Sequence, residues 1–251
     1  MMQEEQQWKA FSLTHVTYPA NEGILPILFA LLSLLPIFIV VAMTTSTLLY
    51  KDVIAAYMLV GSIISPVIVD ILKCIIKQPR PSRYDDIDIE GQEKDCGDHG
   101  MPSNHSTFVF FCWSFVVMYI IRRGGKTLLS QKLMHSDNTN AANMNHQSSS
   151  SFKILSTLWY HLHNIVAIFA SLYLAISCAY SRIYLGYHTT NQVFVGSSLG
   201  IVLGVLWYNI YETEIVQNIL IKIDTLIHEL EMSRRIASMN EYTSNGTKKK
   251  D

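Results

Sequence analysis

Apolar residues gather into five long runs, and polar residues collect in the gaps between them. The first run, Gly23 to Tyr50, is ample for one membrane-spanning helix, with Pro36 as a place for a kink. A very short turn at Lys51 and Asp52 leads to the second, Val53 to about Leu72, which carries Asp70 and ends on Lys73. Residues 73–100 form a polar loop of both charges. The third run opens at Met101-Pro102-Ser103-Asn104-His105 and reaches about Ile121, where Arg122, Arg123 and Lys126 close it. The fourth covers roughly Trp159 to Tyr180. The fifth covers roughly Gln192 to Tyr211, with Trp207, Tyr208 and Tyr211 expected as an interfacial aromatic belt. The pattern predicts an all-α, polytopic membrane helical bundle of about five spans.

The remaining segments are polar or amphipathic. Residues 1–22 lack a basic leading stretch and so do not read as a cleavable signal peptide; they form an N-terminal tail. Within the core, 23–211, residues 124–153 include the biased tract SDNTNAANMNHQSSSS and read as a disordered connector. Residues 212–236 place Val216, Ile219, Leu220, Ile223, Leu226, Ile227 and Leu230 at helical spacing against Lys222, Asp224 and Glu229. That predicts an interfacial or partner-binding helix heading the C-terminal segment, 212–251.

Composition sharpens this picture. Of 251 residues, 49% are hydrophobic and 16% charged, which excludes an ordinary soluble domain. A net charge of −1 gives no ground for a nucleic-acid partner. The four cysteines have no paired spacing. Cys74, Cys112 and Cys178 lie in or beside apolar runs and read as small buried hydrophobes, so neither a disulfide framework nor a zinc site is expected. Five spans put the two ends on opposite sides of the membrane. Arg122, Arg123, Lys126, Lys132 and Lys153 in the connector, with the basic C-terminal tail, assign that side to the cytosol. The N-terminus and the loops at 73–100 and 181–191 then share the lumenal or external side.

Three chemistry-bearing segments fall on that far side. In Lys73-(six residues)-Arg80-Pro81, the prolines at 79 and 81 end the helix by Gln78 and bring two cations to the membrane surface. In Pro102-Ser103-Asn104-His105, Ser103 suits a helix N-cap, whose free N–H groups bind anions. In Ser181-Arg182-Ile183-Tyr184-Leu185-Gly186-Tyr187-His188-Thr189-Thr190-Asn191-Gln192, an arginine and a histidine lie together, with Gln192 four residues beyond the histidine. Singly, a lysine or arginine at a span end is an anchor and a serine an ordinary cap. Together they fit phosphoryl transfer without a metal or other cofactor. Arg80 and Arg182 can hold phosphate oxygens, Lys73 adds a point charge, His188 can attack phosphorus and His105 can protonate the leaving oxygen. No H-E-x-x-H or C-x-x-C pattern is present, and Asp70 with the acids of 85–98 reads as solvated charge.

K-x6-R-P, P-S-x-H and S-R-x5-H resemble the three signatures of the type 2 phosphatidic acid phosphatase superfamily, over roughly residues 53–211. The resemblance implies a phosphohistidine on His188, general acid–base work by His105, and phosphate binding by Lys73, Arg80, Ser103 and Arg182. Asn104 replaces the usual glycine, and Gln192 the aspartate that orients the nucleophilic histidine. A neutral amide can still fix the ring tautomer but stabilises an imidazolium less. On this basis Gln192→Asp, which restores the wider pattern, is expected to remain active. MPSNHS with SRIYLGYHTTNQV further resembles the dolichyldiphosphatase branch, which carries glutamine at this position. That implies a polyprenyl diphosphate lipid substrate, dolichyl diphosphate, hydrolysed to dolichyl phosphate and phosphate at the lumenal face of the endoplasmic reticulum. This recycles the glycan carrier of N-glycosylation. A phosphatase of lipid monoesters such as phosphatidate would show the same triple. A non-catalytic adaptor on this scaffold would be expected to lose site residues.

Overall fold

The computed structural model describes residues 8–10, 17–19, 23–81, 99–137 and 147–247. The order is β1 (Trp8–Ala10), β2 (Thr17–Pro19), α1 (Leu25–Leu32), α2 (Leu35–Leu49), α3 (Val53–Ile76), α4 (Asn104–Asp137), α5 (Gln147–Tyr184), α6 (Thr190–Tyr211) and α7 (Glu214–Thr247). The helices form the bundle. The two short strands pair antiparallel in the N-terminal tail, which the hydropathy pattern left without structure.

Four helical stretches are long and apolar enough to cross a membrane: Val53–Ile76, Asn104–Gly124, Leu158–Tyr184 and Thr190–Tyr211. The expected first span is a pair of helices, α1 and α2, bent by 42°. Its break falls at Ser33 and Leu34, just ahead of Pro36. Pro36 sits in the first turn of α2, where a missing N–H leaves no hydrogen bond unmade, so it starts a helix instead of kinking one. Asp52 caps α3, accepting from the backbone N–H of Ile54 at 2.9 Å and of Ala55 at 3.1 Å. The helix ends at Ile76, with Lys77 left-handed (φ 50°), ahead of Pro79.

The core is built on α4, whose Phe108, Val109, Phe111, Cys112 and Phe115 are buried. Its tightest neighbour is α6. A Cβ on Gly200 would lie 2.3 Å from the Thr107 carbonyl oxygen, and one on Gly204 would lie 2.4 Å from that of Phe111. Small residues one turn apart let two backbones approach this closely, which is how helices associate in lipid without a hydrophobic drive. Thr107 sits on the seam, its one hydroxyl proton within reach of both the Ser103 carbonyl at 2.9 Å and, across the helices, the Gly196 carbonyl at 3.0 Å. α3 joins through the stacked rings of Tyr57 and Trp207, 4.9 Å apart. The indole N–H donates to the Tyr57 carbonyl, and the Tyr57 hydroxyl donates to the Trp207 carbonyl.

Three expectations need correction here. Tyr208 and Tyr211 are not a lipid-facing belt. They are buried with Phe115 in an aromatic cluster where α3, α4 and α6 meet. The connector read as disordered at 124–153 is helical over 124–137 and 147–153, while 138–146 lies outside the described residues. The amphipathic helix expected at 212–236 is present and longer, as α7. Lys51, in the turn between α2 and α3, pairs with Glu231 and ties α7 to that end of the bundle.

Because the atoms that a Cβ at Gly200 would meet are backbone and cannot move aside, Gly200→Ala should destabilise by about 1–3 kcal/mol. It should lower the unfolding midpoint in detergent, whereas Gly124→Ala, with open space around it, should not.

Candidate active site

The C-terminal ends of α3 and α5 and the N-terminal ends of α4 and α6 come to the same end of the bundle, and each brings a motif. From α3 comes Lys73, only 2% exposed, one turn after Asp70, whose carboxylate lies 3.5 Å from its Nζ. Asp70 also accepts from Asn104 Nδ2 at 3.2 Å, joining α3 to the start of α4. Asp70 stays half exposed, so it is solvated charge as expected, and it has partners the sequence did not announce. It fixes the lysine and the residue beside His105, and a helix-to-helix contact of this kind leaves no local sequence pattern. After α3, the chain runs through Gln78 to Pro81, and the Gly100 N–H donates to the Gln78 carbonyl at 2.8 Å. This bond brings the two ends of the long polar loop together next to Arg80.

α4 begins at Asn104, directly after Ser103, the cap position expected from the sequence. Ser103 is wholly buried. Its N–H donates to the carbonyl of Gln192 at 3.2 Å, and its hydroxyl accepts from that of Ser106. His105 follows on the first turn. The charges that reach its ring are those of Arg182, His188, Arg80 and Lys73.

The third segment turns sharply between α5 and α6. Gly186 takes φ 74°, and the N–H groups of Tyr187 and His188 both donate to the Arg182 carbonyl, at 3.0 and 3.2 Å. Arginine and histidine are thus locked together through the backbone. The buried Arg182 guanidinium lies over the Tyr187 ring, 3.9 Å from its centroid. Among the described residues its Nε has no hydrogen-bond partner, although the atom is buried.

His188 is 5% exposed, and its Nδ1 lies 3.0 Å from the Gly100 carbonyl and 3.3 Å from Gln192 Oε1. Both neighbours are acceptors, so Nδ1 carries the proton and Nε2 keeps its lone pair. Burial, then the charges of Arg182 and Arg80, push the imidazole down to about 3, against the opposing pull of its two hydrogen bonds. The ring is neutral and held in one tautomer, with the Nε2 lone pair free.

Lys73, Arg80, Ser103, His105, Arg182, His188 and Gln192 all lie at this end of the bundle. The sequence reading missed Gly100, Pro79, Tyr187 and Asp70. Tyr187, next to His188 in the quoted stretch, is the one with a local signal. Cys74, adjacent to Lys73, is disulfide-bonded and not a small buried hydrophobe, whereas Cys112 and Cys178 are buried free thiols. Cys96 lies outside the described residues. Among the described residues, no three His, Cys, Asp or Glu side chains are grouped to hold a metal ion.

A helical membrane bundle carrying these three motifs at one end defines a class, and comparison with known proteins gives the same one. Residues 54–215 match the PAP2 superfamily, well over half of the chain, and the protein belongs to that superfamily. It is 32% identical over 204 residues to Dolichyldiphosphatase 1 of Mus musculus, covering 80% of this chain and 71% of the relative. It is 30% identical over 206 residues to Lipid phosphate phosphatase gamma of Arabidopsis thaliana, covering 81% and 74%. It is 26% identical over 198 residues to Dolichyldiphosphatase of Saccharomyces cerevisiae, covering 79% and 68%. No solved structure matches.

With its imidazole held down to about 3, His188 should be neutral from pH 5 to 8 in the ligand-free protein. Long-range 1H–15N spectra of histidine-labelled protein should show one ring with its proton on Nδ1 and no titration in that window. That signal should vanish in His188→Ala. A His188 resonance titrating near the usual 6.5 would contradict the geometry.

Proposed function

We propose that the protein hydrolyses dolichyl diphosphate to dolichyl phosphate and orthophosphate at the lumenal face of the endoplasmic reticulum, returning the carrier lipid to N-glycosylation. The observation that carries the reading is the convergence of two histidines and three cations at one end of a membrane bundle, with one histidine pinned by Nδ1. The site sits where membrane-spanning helices end, the depth at which a diphosphate headgroup meets a chain buried in lipid. Two of the relatives named above are dolichyldiphosphatases. A disulfide at Cys74, one residue from Lys73, favours an oxidising compartment for this end, in agreement with the charge asymmetry of the loops.

In this reading Lys73, Arg80 and Arg182 hold the terminal phosphoryl group and stabilise the charge spread over its equatorial oxygens. The Ser103 hydroxyl, at the start of α4, is a further phosphate ligand. The lone pair on His188 Nε2 attacks phosphorus. An N–P bond forms as the P–O bond to dolichyl phosphate breaks, and His105, protonated once the anionic headgroup offsets the cations around it, donates that proton to the departing oxygen. His105 then takes a proton from water as its oxygen attacks phosphorus, the N–P bond breaks, and orthophosphate leaves. No step calls for a metal ion.

Phosphate release by the detergent-purified protein should strongly favour dolichyl diphosphate over dolichyl phosphate and phosphatidate, and EDTA should leave it unchanged. His188→Ala should abolish turnover in folded protein. Equal or better turnover of phosphatidate would favour a general lipid phosphate phosphatase, the activity named for the Arabidopsis relative. A strict requirement for a divalent ion would overturn the mechanism.

A further inference from the structure

We infer that Gln192 is a positioning residue for the arginine arm of the site: its carboxamide straps the Pro79–Arg80 segment to the nucleophile-bearing turn. This rests on the phosphatase reading above and goes beyond any role in orienting His188.

Gln192 is wholly buried at the third residue of α6, and both ends of its amide are used. Oε1 accepts from the Thr189 N–H at 3.1 Å, completing a capping box with the Thr189 hydroxyl, and faces His188 Nδ1 at 3.3 Å. Nε2 donates to the Pro79 carbonyl at 2.8 Å, across 113 residues of sequence. Its own carbonyl accepts from Ser103 at 3.2 Å. One residue thus touches all three motifs. A backbone N–H on one side and a carbonyl on the other leave no freedom to exchange the amide's oxygen and nitrogen.

For His188, Gln192 is the longer of two contacts, because the Gly100 carbonyl is 0.3 Å nearer. For the 78–81 segment it is a direct tie. Pro79 and Pro81 fix the backbone on either side of Arg80, so holding the Pro79 carbonyl aims the arginine. Gly100 completes the strap from the other side. A Cβ there would lie 2.4 Å from Gln192 Nε2, so only glycine lets the amide reach across. A carboxylate at position 192 could still accept from Thr189 and His188, but it has no proton to give Pro79 and would face that carbonyl oxygen to oxygen. The expectation that Gln192→Asp remains active therefore does not follow from this geometry.

Gln192→Glu separates the two roles, since it strengthens the partner of His188 and breaks the strap. Binding of orthovanadate, measured directly on purified protein, and KM for dolichyl diphosphate should both weaken about tenfold, more than kcat falls. Gly100→Ala should act in the same direction. In an Arg80→Ala background Gln192→Glu should weaken vanadate binding little further, because both changes remove one arm. Unaltered vanadate binding in folded Gln192→Glu and Gly100→Ala, or full additivity with Arg80→Ala, would overturn the strap. If Gln192→Glu does not fold, Gly100→Ala with Arg80→Ala decides alone. A wild type that binds vanadate but leaves dolichyl diphosphate uncleaved would fail the substrate reading, while vanadate binding still decides the strap.

Discussion

The seam between α4 and α6 is the constraint on which the site depends. Along α6, Gly196, Gly200 and Gly204 meet the backbone and small side chains of α4 at distances that exclude a Cβ. In lipid such contact is favourable for its packing and its hydrogen bonds, and here the Thr107 hydroxyl is shared between the Ser103 and Gly196 carbonyls. The seam runs up to the helix starts, where the Ser103 N–H meets the Gln192 carbonyl. Register along the seam therefore sets where His105 stands relative to His188. A slip of one turn would move about 5.4 Å and dismantle the constellation.

Around that frame the site concentrates positive charge in a place where water is scarce. Arg182 lies on the Tyr187 face and is tied to His188 through its carbonyl, and Lys73 lies against Asp70. Buried cations cost free energy unless an anion or a hydrogen-bond network compensates them, and a phosphate oxygen is such an anion. Burial first, and the same field second, keep His188 unprotonated. In the proposed mechanism, attraction of the anionic headgroup and a free lone pair on His188 are then two results of one arrangement. The glutamine at 192 is consistent with this economy, because the Gly100 carbonyl already fixes the tautomer.

The legible part of this molecule was what a single segment can encode. Span lengths, the helix start after Ser103 and the three motifs are local, and the helix ends bring their side chains together. What pattern reading missed is made across elements. Nothing near Asp70 announces that it holds Asn104, and nothing near Pro79 announces that its carbonyl receives Gln192. Cys74 looked apolar because its neighbours are, yet it stands at the helix end where the polar loop begins. Tyr208 and Tyr211 looked interfacial because they end a span, but the converging helices bury them. Pro36 looked like a kink within one helix because hydropathy runs unbroken across Ser33 and Leu34, where the backbone turns.

Orientation across the membrane brings the local and the non-local together. The basic cluster Arg122, Arg123 and Lys126 follows the third span, at the end of the bundle away from His105. The disulfide of Cys74 lies at the other end, beside Lys73. Loop charge and thiol oxidation are governed by unrelated physics, one by insertion against a charge bias and the other by the redox poise of a compartment. Both favour the same side for the site. It is this agreement that supports the lumenal placement proposed above for this end of the bundle.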